Sequence, residues 1–270
     1  MVLRRVRSVL HARLGAAAVD HYMSHLYPVP GQEIMPLTDV LPGSTEPPDA
    51  VGEFQVNLIK KMAELQSPLI GWKVTPPTYE LVKFLRPTEE ICTPLFVGTR
   101  MFNGAAIEGV KAQHVSAGIV LELDASADDI TPERVDTIVT AFYPAIEILG
   151  SRFPYYPPNV NNFVCDQASH ARFVLGSPVP LDRVHSGLSQ HGFVLLCDDV
   201  PVQVGFGKYC LSNPLNAAVS AVRYAKSLNI PVPARTLVLC SGVCGRVQAK
   251  NAKYDVNFGP YGSVSCTLKL

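Results

Sequence analysis

Charge is scarce in this sequence. Asp, Glu, Lys and Arg make up 17% of the 270 residues, against the roughly one quarter usual in globular domains. The 23 basic and 23 acidic residues cancel, so no basic stripe argues for nucleic acid and no acidic tail is visible. Long apolar runs are also missing: stretches such as "SAGIVL" and "RTLVLC" are strand-sized and far short of a membrane span. The seven cysteines are odd in number, scattered and without a Cys-x-x-Cys, which speaks against a disulfide framework and fits reduced thiols in an intracellular protein. Cys240 and Cys244 in "CSGVCG" come nearest to a pair. With no two further convergent ligands for zinc, they read as core residues.

What is abundant is apolar side chain, 47% of the chain. That suffices for a large core in one domain, or in a domain with a smaller N-terminal region. So few charges suit either a large core alone or a chain that buries extra surface in an oligomer, here expected to be a homo-oligomer. The start, "MVLRRVRSVLHARLGAAAV", holds four arginines and no acid before Asp20. A mitochondrial presequence has this composition, and so has a first helix with Val6, Leu10, Leu14 and Ala17 on one side. The expected compartment is the cytoplasm, with the mitochondrion as the alternative.

Along the chain, a helix over roughly Val6 to Leu26 leads into "YPVPGQEIMPLTDVLPGSTEPPDA", whose six prolines forbid regular structure. His21 and His25 stand at helical i, i+4 spacing, but with no third ligand they read as a solvated face. A second helix, "AVGEFQVNLIKKMAELQ", precedes a short strand, "LIGWKV". That strand puts Gly71 and Lys73 on one face and Trp72 and Val74 on the other. "DDITPERVDTIVTAFYP" is expected to be a helix, capped by Thr131, with Pro132 at its first position and Pro144 at its end. "AIEIL" follows as a strand carrying Glu147 among apolar neighbours, where a carboxylate is costly unless paired or liganded. "GSRFPYYPPNVNN" reads as a long loop, and strand-like chain resumes past Asp166. "GFVLLCDDVPVQVGFG" predicts a hairpin turning at Asp198 and Asp199. Gly205 and Gly207 then lead to a helix with Asn213 as cap, Pro214 at its first position and an apolar stripe of Leu215, Ala218, Val219 and Val222. Glycines before a helix can present N–H groups to an anion, yet Gly-x-Gly alone lacks a dinucleotide fingerprint. Short strands and Gly turns fill the C-terminal part.

The stretch "KAQHVSAGIVLELD" has two unlike faces. Val115, Ala117, Ile119, Leu121 and Leu123 make an unbroken apolar row. His114, Ser116, Gly118, Val120 and Glu122 make the other, and its short or titratable members suit a cavity wall. The element count gives an α+β fold, a curled mixed β-sheet roll with a smaller helical N-terminal region. Residues 1–90 form that region with the first strand, and residues 91–270 form the roll.

Six stretches, "IMPLTDVLP", "LIGWKV", "PAIEILGSRF", "VCDQAS", "NPLNAAVSAV" and "YGSVSCTL", in this order and spacing, resemble the 2-keto-4-pentenoate hydratase and 4-oxalocrotonate decarboxylase group of the fumarylacetoacetate hydrolase superfamily. The resemblance runs from about Ala16 to the C-terminus. It implies a lyase acting on a short 2-hydroxy-dienoate or 2-oxo acid, by hydration or decarboxylation, with a divalent metal, Mg²⁺ or Mn²⁺. In those relatives a Glu-x-Glu pair and a later Glu hold the metal. Lys73 matches the family lysine, Glu147 the single glutamate, and Asp166 and Ser169 the Asp and Ser of an Asp-Asn-Ala-Ser motif in which Gln167 replaces Asn. Lys73 and Asp166 are thereby expected to transfer protons, with Ser169 beside them, and the Gly205–Gly207 turn to line the acid pocket.

The Glu-x-Glu pair does not carry over. An ungapped register puts His114 and Ser116 in its place; Glu122 and Asp124 lie further along the strand. Three outcomes stay open on the residues alone. Glu147, with His114, holds a metal weakly. Or a protonated His114, raised by Glu147, substitutes for it electrostatically. Or the site is inert and the chain is a non-catalytic partner subunit.

Overall fold

The computed structural model describes residues 18–24, 48–124, 130–154, 157, 159–184 and 187–270. A nine-stranded sheet forms the main body. Its continuous order is β2 (Ile91–Phe96), β1 (Leu69–Thr75), β11 (Leu237–Cys240), β5 (His114–Leu123), β6 (Val139–Leu149), β7 (His170–Leu175), β3 (Arg100–Phe102). Two short strands join it, β12 (Val247–Gln248) on β5 and β8 (Val179–Pro180) on β6. A second sheet of five strands runs β10 (Val200–Phe206), β9 (Gly192–Cys197), β13 (Ala252–Asn257), β14 (Ser263–Lys269), β4 (Ala105–Glu108). Most pairings are antiparallel, but β1–β11, β4–β14 and β3–β7 are parallel, so both sheets are mixed.

The largest core lies where β13 and β14 pack on β6. The apolar row of β5, Val115 through Leu123, is wholly buried there, as its period of two requires. α1 (Pro48–Glu64) and the helical residues 18–24 form a smaller core, in which Tyr22, Phe54 and Leu58 meet Phe96 and Phe153. α2 (Tyr79–Phe84) is capped by the Thr78 hydroxyl, which accepts from Leu81 N. α4 (Leu215–Ser227) lays Ala218, Val219 and Val222 against β1 and β11, and the Asn213 side chain accepts from Leu215 N at 3.1 Å. The β9–β10 hairpin turns at Asp198 and Asp199, both with left-handed φ (50° and 61°), the geometry a two-residue turn demands. All seven cysteines are buried and none is in a disulfide.

Two local expectations fail. The region 130–144 is not a helix: after a single 3-10 turn at Val135–Thr137 the chain enters β6, which runs straight through Pro144. The cap and proline signals at Thr131 and Pro132 are local, whereas Val139, Phe142 and Ile146 gain full burial between β5 and the second sheet. Pro144 is tolerated because it falls between the stretch of β6 paired with β8 and that paired with β7. Conversely, the expected loop before Asp166 contains α3 (Val160–Cys165), started by the Asn159 side chain accepting from Asn162 N at 2.9 Å. β1, grouped by sequence with the N-terminal region, is hydrogen-bonded between β2 and β11 inside the main sheet. His21 is exposed and His25 lies outside the described residues, as does most of the arginine-rich start. No helix among the described residues is long and apolar enough to cross a membrane.

Candidate functional site

β1 carries Lys73 and Thr75 on one face, and α2 and the 241–246 segment rise beside them. Ser116 on β5 sits directly opposite Glu147 on β6. Glu147 is fully buried and its carboxylate is surrounded. Lys73 Nζ lies 2.7 Å from Oε1, His170 Nδ1 lies 3.1 Å from the same oxygen, and Ser241 donates to Oε2 at 2.7 Å. Burial acts to raise the Glu147 carboxyl, but Lys73 and then His170 outweigh it and hold it at about 2. Burial pushes Lys73 below its ordinary range against the pull of Glu147, and brings His170 down to about 4. The imidazole is therefore neutral near pH 7, with Nδ1–H donating to Glu147 and Nε2 facing the Thr99 hydroxyl at 3.3 Å.

Lys73 also donates to the carbonyl of Ala168 at 2.8 Å. That carbonyl is aimed by three successive left-handed residues, Gln167, Ala168 and Ser169 (φ 54°, 49° and 58°). Non-glycine residues rarely adopt this backbone, and runs of it persist only where the surroundings impose them. Here the anchor is Asp166. Its carboxylate accepts from Arg152 Nε at 2.7 Å, Arg152 N at 3.1 Å and Ser151 Oγ at 2.8 Å. Arg152 also donates to the carbonyls of Asp166, Gly150 and His170. Asp166 is thus sealed behind the loop and does not line the cavity, so its geometry is that of an anchor rather than a proton donor to a ligand.

In front of these groups is a cavity of about 350 Å³, walled in part by Lys73, Thr75, Ser116, Ser169, Ser241 and Cys244. At its mouth Arg246 pairs with Glu80 at 3.0 Å. A neighbouring cavity of about 600 Å³ shares Ser169, Leu149, Phe163 and Arg246 with it and is where His114 sits. A third, of about 750 Å³, lies between α1 and α4 and contains none of the buried charges. The site residues drawn from the sequence therefore divide. Lys73, Ser116 and Ser169 meet at one cavity, with Glu147 behind Lys73, while His114 faces the next.

Two expectations are corrected. His114 lies across from Leu149, the charges acting on it are Arg246 and Glu80, and burial and Arg246 lower its pKa rather than Glu147 raising it. The histidine that does pair with Glu147 is His170, which the sequence reading passed over. Gly205 and Gly207 do not line the cavity: a Cβ at Gly205 would lie 2.5 Å from Phe193 and from the Val243 carbonyl, and one at Gly207 2.0 Å from the Leu188 carbonyl. Their lack of a side chain serves close backbone packing.

The donor set does not fit a divalent ion. Three of the roughly four acceptor positions of Glu147 are taken. Ser116 Oγ is directed to Ala117 O at 3.2 Å and Cys244 Sγ at 3.5 Å. Among the described residues no three His, Cys, Asp or Glu side chains converge as a metal cage, whereas a hard cation needs several charged oxygens.

No protein-family model matches the chain. Individual relatives do. It is 33% identical over 241 residues, 88% of this chain and 90% of the relative, to REH2-associated factor 2 of Trypanosoma brucei brucei. It is 28% identical over 244 residues, with the same coverage of both chains, to the TodF product hydratase of Pseudomonas putida. Its fold superposes on 4-oxalocrotonate decarboxylase from Pseudomonas putida G7, complexed with magnesium and adipate, with TM-score 0.83, 19% identity, and 95% and 97% of the two chains covered. Fumarylpyruvate hydrolase from Pseudomonas aeruginosa, in complex with Mn²⁺ and pyruvate, matches more loosely, with TM-score 0.52, 14% identity, and 76% and 91% covered. Sequence and fold agree: the chain belongs to the 2-keto-4-pentenoate hydratase and 4-oxalocrotonate decarboxylase group of the fumarylacetoacetate hydrolase superfamily.

Proposed function

We propose that this chain keeps the pocket of its lyase relatives without their metal-dependent step, and serves as a binding, partner-type member of the family. One observation carries the reading: Glu147 is neutralised by Lys73 and held by His170 and Ser241, with Ser116 rather than a carboxylate across from it. It is supported by a relative, 33% identical along nearly its whole length, that is named for association with REH2 and not for a reaction. On this reading the chain associates with its own counterpart of REH2.

The test has two arms. Purified protein is assayed for hydration of a short 2-hydroxy-dienoate and for decarboxylation of 4-oxalocrotonate, with Mg²⁺ or Mn²⁺. No turnover above buffer is expected; metal-dependent turnover that disappears in Glu147→Gln overturns the reading. In the second arm, the tagged chain from its native cells is sized and its companions identified. Co-migration with the REH2 counterpart is expected, and recovery only as copies of itself overturns the partner role.

A second reading, a metal-free lyase, draws on Lys73, whose ammonium borders the cavity and whose pKa burial lowers. Turnover that survives EDTA and is lost in Lys73→Met would select it over the first.

A further inference from the structure

We propose that the outer face of the β9–β10 hairpin docks a second copy of this chain, the two hairpins packing face to face about a two-fold axis that passes beside Gln203. The inference is independent of the functional reading above and concerns the second sheet rather than the cavity.

An antiparallel sheet with one face on the core and the other in water alternates apolar and polar residues along its strands. β13 and β14 obey this, with Lys253, Asn257, Ser263 and Thr267 exposed between buried apolar neighbours. β9 and β10 do not. Phe193, Leu195 and Cys197 of β9 belong to the core, and the alternate positions are again apolar, Val194 and Leu196. Val204 pairs directly with Val194, so the two share the outward face, and Val204 is 62% exposed. Val202, Phe206 and, just past the strand, Tyr209 extend the strip. Its boundary is sharp: across the sheet, Val194 and Leu196 pair with Asn257 and Asp255. An apolar strip exposed beside polar neighbours on one sheet face marks a contact surface.

The edge of β10 is poorly suited to adding a strand. Pro201 has no N–H to give, the hairpin register shifts between Pro201 and Gln203, and Phe206 N already donates to the Val243 carbonyl at 3.1 Å. An occupant therefore meets the side chains of the face and not the backbone of the edge.

The charges at the two ends of the strip identify that occupant. Asp198 and Asp199 form the turn that opens β10. Lys208 follows its other end, with its ammonium 5.3 Å from the centre of the Phe206 ring, and Phe206 has the outward parity of Val204. Asp198 and Lys208 stand equally far along the sequence from Gln203. Two antiparallel copies related by an axis there set each copy's Lys208 against the other's acidic turn, while their valines close on one another. Asp199, 87% exposed and stretched to 4.0 Å from Lys253, reorients at little cost. Such an isologous contact is self-complementary in its apolar strip and in its charge.

The full-length protein is sized by sedimentation velocity across a micromolar concentration series. A dimer is expected for wild type and a monomer for Val204→Asp, which puts a carboxylate in the middle of the strip at an exposed position and should leave the circular dichroism unchanged. Lys208→Glu and Asp199→Lys each set like charges against one another, and each is expected to raise the dissociation constant by about 10-fold or more. Mixed in equal amounts, the two variants regain both opposite-charge contacts, so a dimer of wild-type affinity is expected to reappear. A wild type that stays monomeric overturns the proposal, and so does a dimer indifferent to Val204→Asp, which would have formed through another face. A mixture no tighter than its separate components overturns the two-fold pairing.

Discussion

The buried Lys73–Glu147 pair makes a quantitative demand on stability that a double-mutant cycle can test. Both groups are essentially inaccessible, 1% and 0% exposed, and their charged atoms are 2.7 Å apart. Lys73→Met strands a carboxylate in the core, and Glu147→Leu strands an ammonium; either loss of one partner from a buried pair destabilises by about 3–5 kcal/mol. Were the two sites independent, the double variant would lose about 6–10 kcal/mol by simple addition. Removing both charges leaves a different defect. The Nδ1–H of His170 and the hydroxyl of Ser241 then lack their acceptor, and the Ala168 carbonyl its donor, at about 1–3 kcal/mol each, for a total of roughly 3–9 kcal/mol. The double variant is therefore expected to lose less than the sum of the two single ones, with a coupling energy of about 2 kcal/mol. Urea unfolding followed by the fluorescence of Trp72, the chain's single tryptophan and the neighbour of Lys73 in β1, reads this directly. Additivity within about 0.5 kcal/mol would refute the argument, because it would mean the two charges are already screened from one another.

Two further perturbations separate charge from packing. His170, held near 4 by burial, refuses a proton that the unfolded chain accepts below about 6.5. The stability it supports is intact above 6.5 and declines as pH falls towards 4, by roughly 3 kcal/mol in all. In His170→Gln the decline of urea midpoints between pH 7 and pH 4 should be shallower by that amount; matching slopes would remove His170 from the acid response. Gly207→Ala places a Cβ 2.0 Å from the Leu188 carbonyl and should destabilise by about 1–3 kcal/mol. Since Gly207 does not line the cavity, the folded variant should respond to oxalate in calorimetric titration as wild type does, and a large loss would return the Gly205–Gly207 turn to the binding surface.

The strands that build the site were legible because each carries its own pattern. "GWKV" and "AIEIL" place a lysine and a glutamate where only apolar residues are otherwise tolerated, and both prove buried and paired with each other. The two faces of β5 follow from alternation alone. What sequence could not convey was orientation and partnership across the fold. Asp166 was found by motif, but its consort Arg152 comes from a separate loop, so the aspartate reads as reactive until that guanidinium is seen against it. His170 escaped notice because a register shift between Ile148 and Leu149 brings the start of β7 back over Glu147. The segment 130–144 read as helix since its capping and proline signals are local, while the pull towards strand comes from β5 beside it.

The self-cancelling charges of the cavity bear on how fast anything can reach it. Lys73 is neutralised from behind by Glu147 and Arg246 by Glu80 at the rim, and the chain as a whole has no net charge. With these local charges cancelled, ligand capture should proceed by unassisted collision, with an on-rate nearly indifferent to ionic strength. Selectivity among small acids would then reside in how long each one stays, decided by hydrogen bonds within the pocket after arrival.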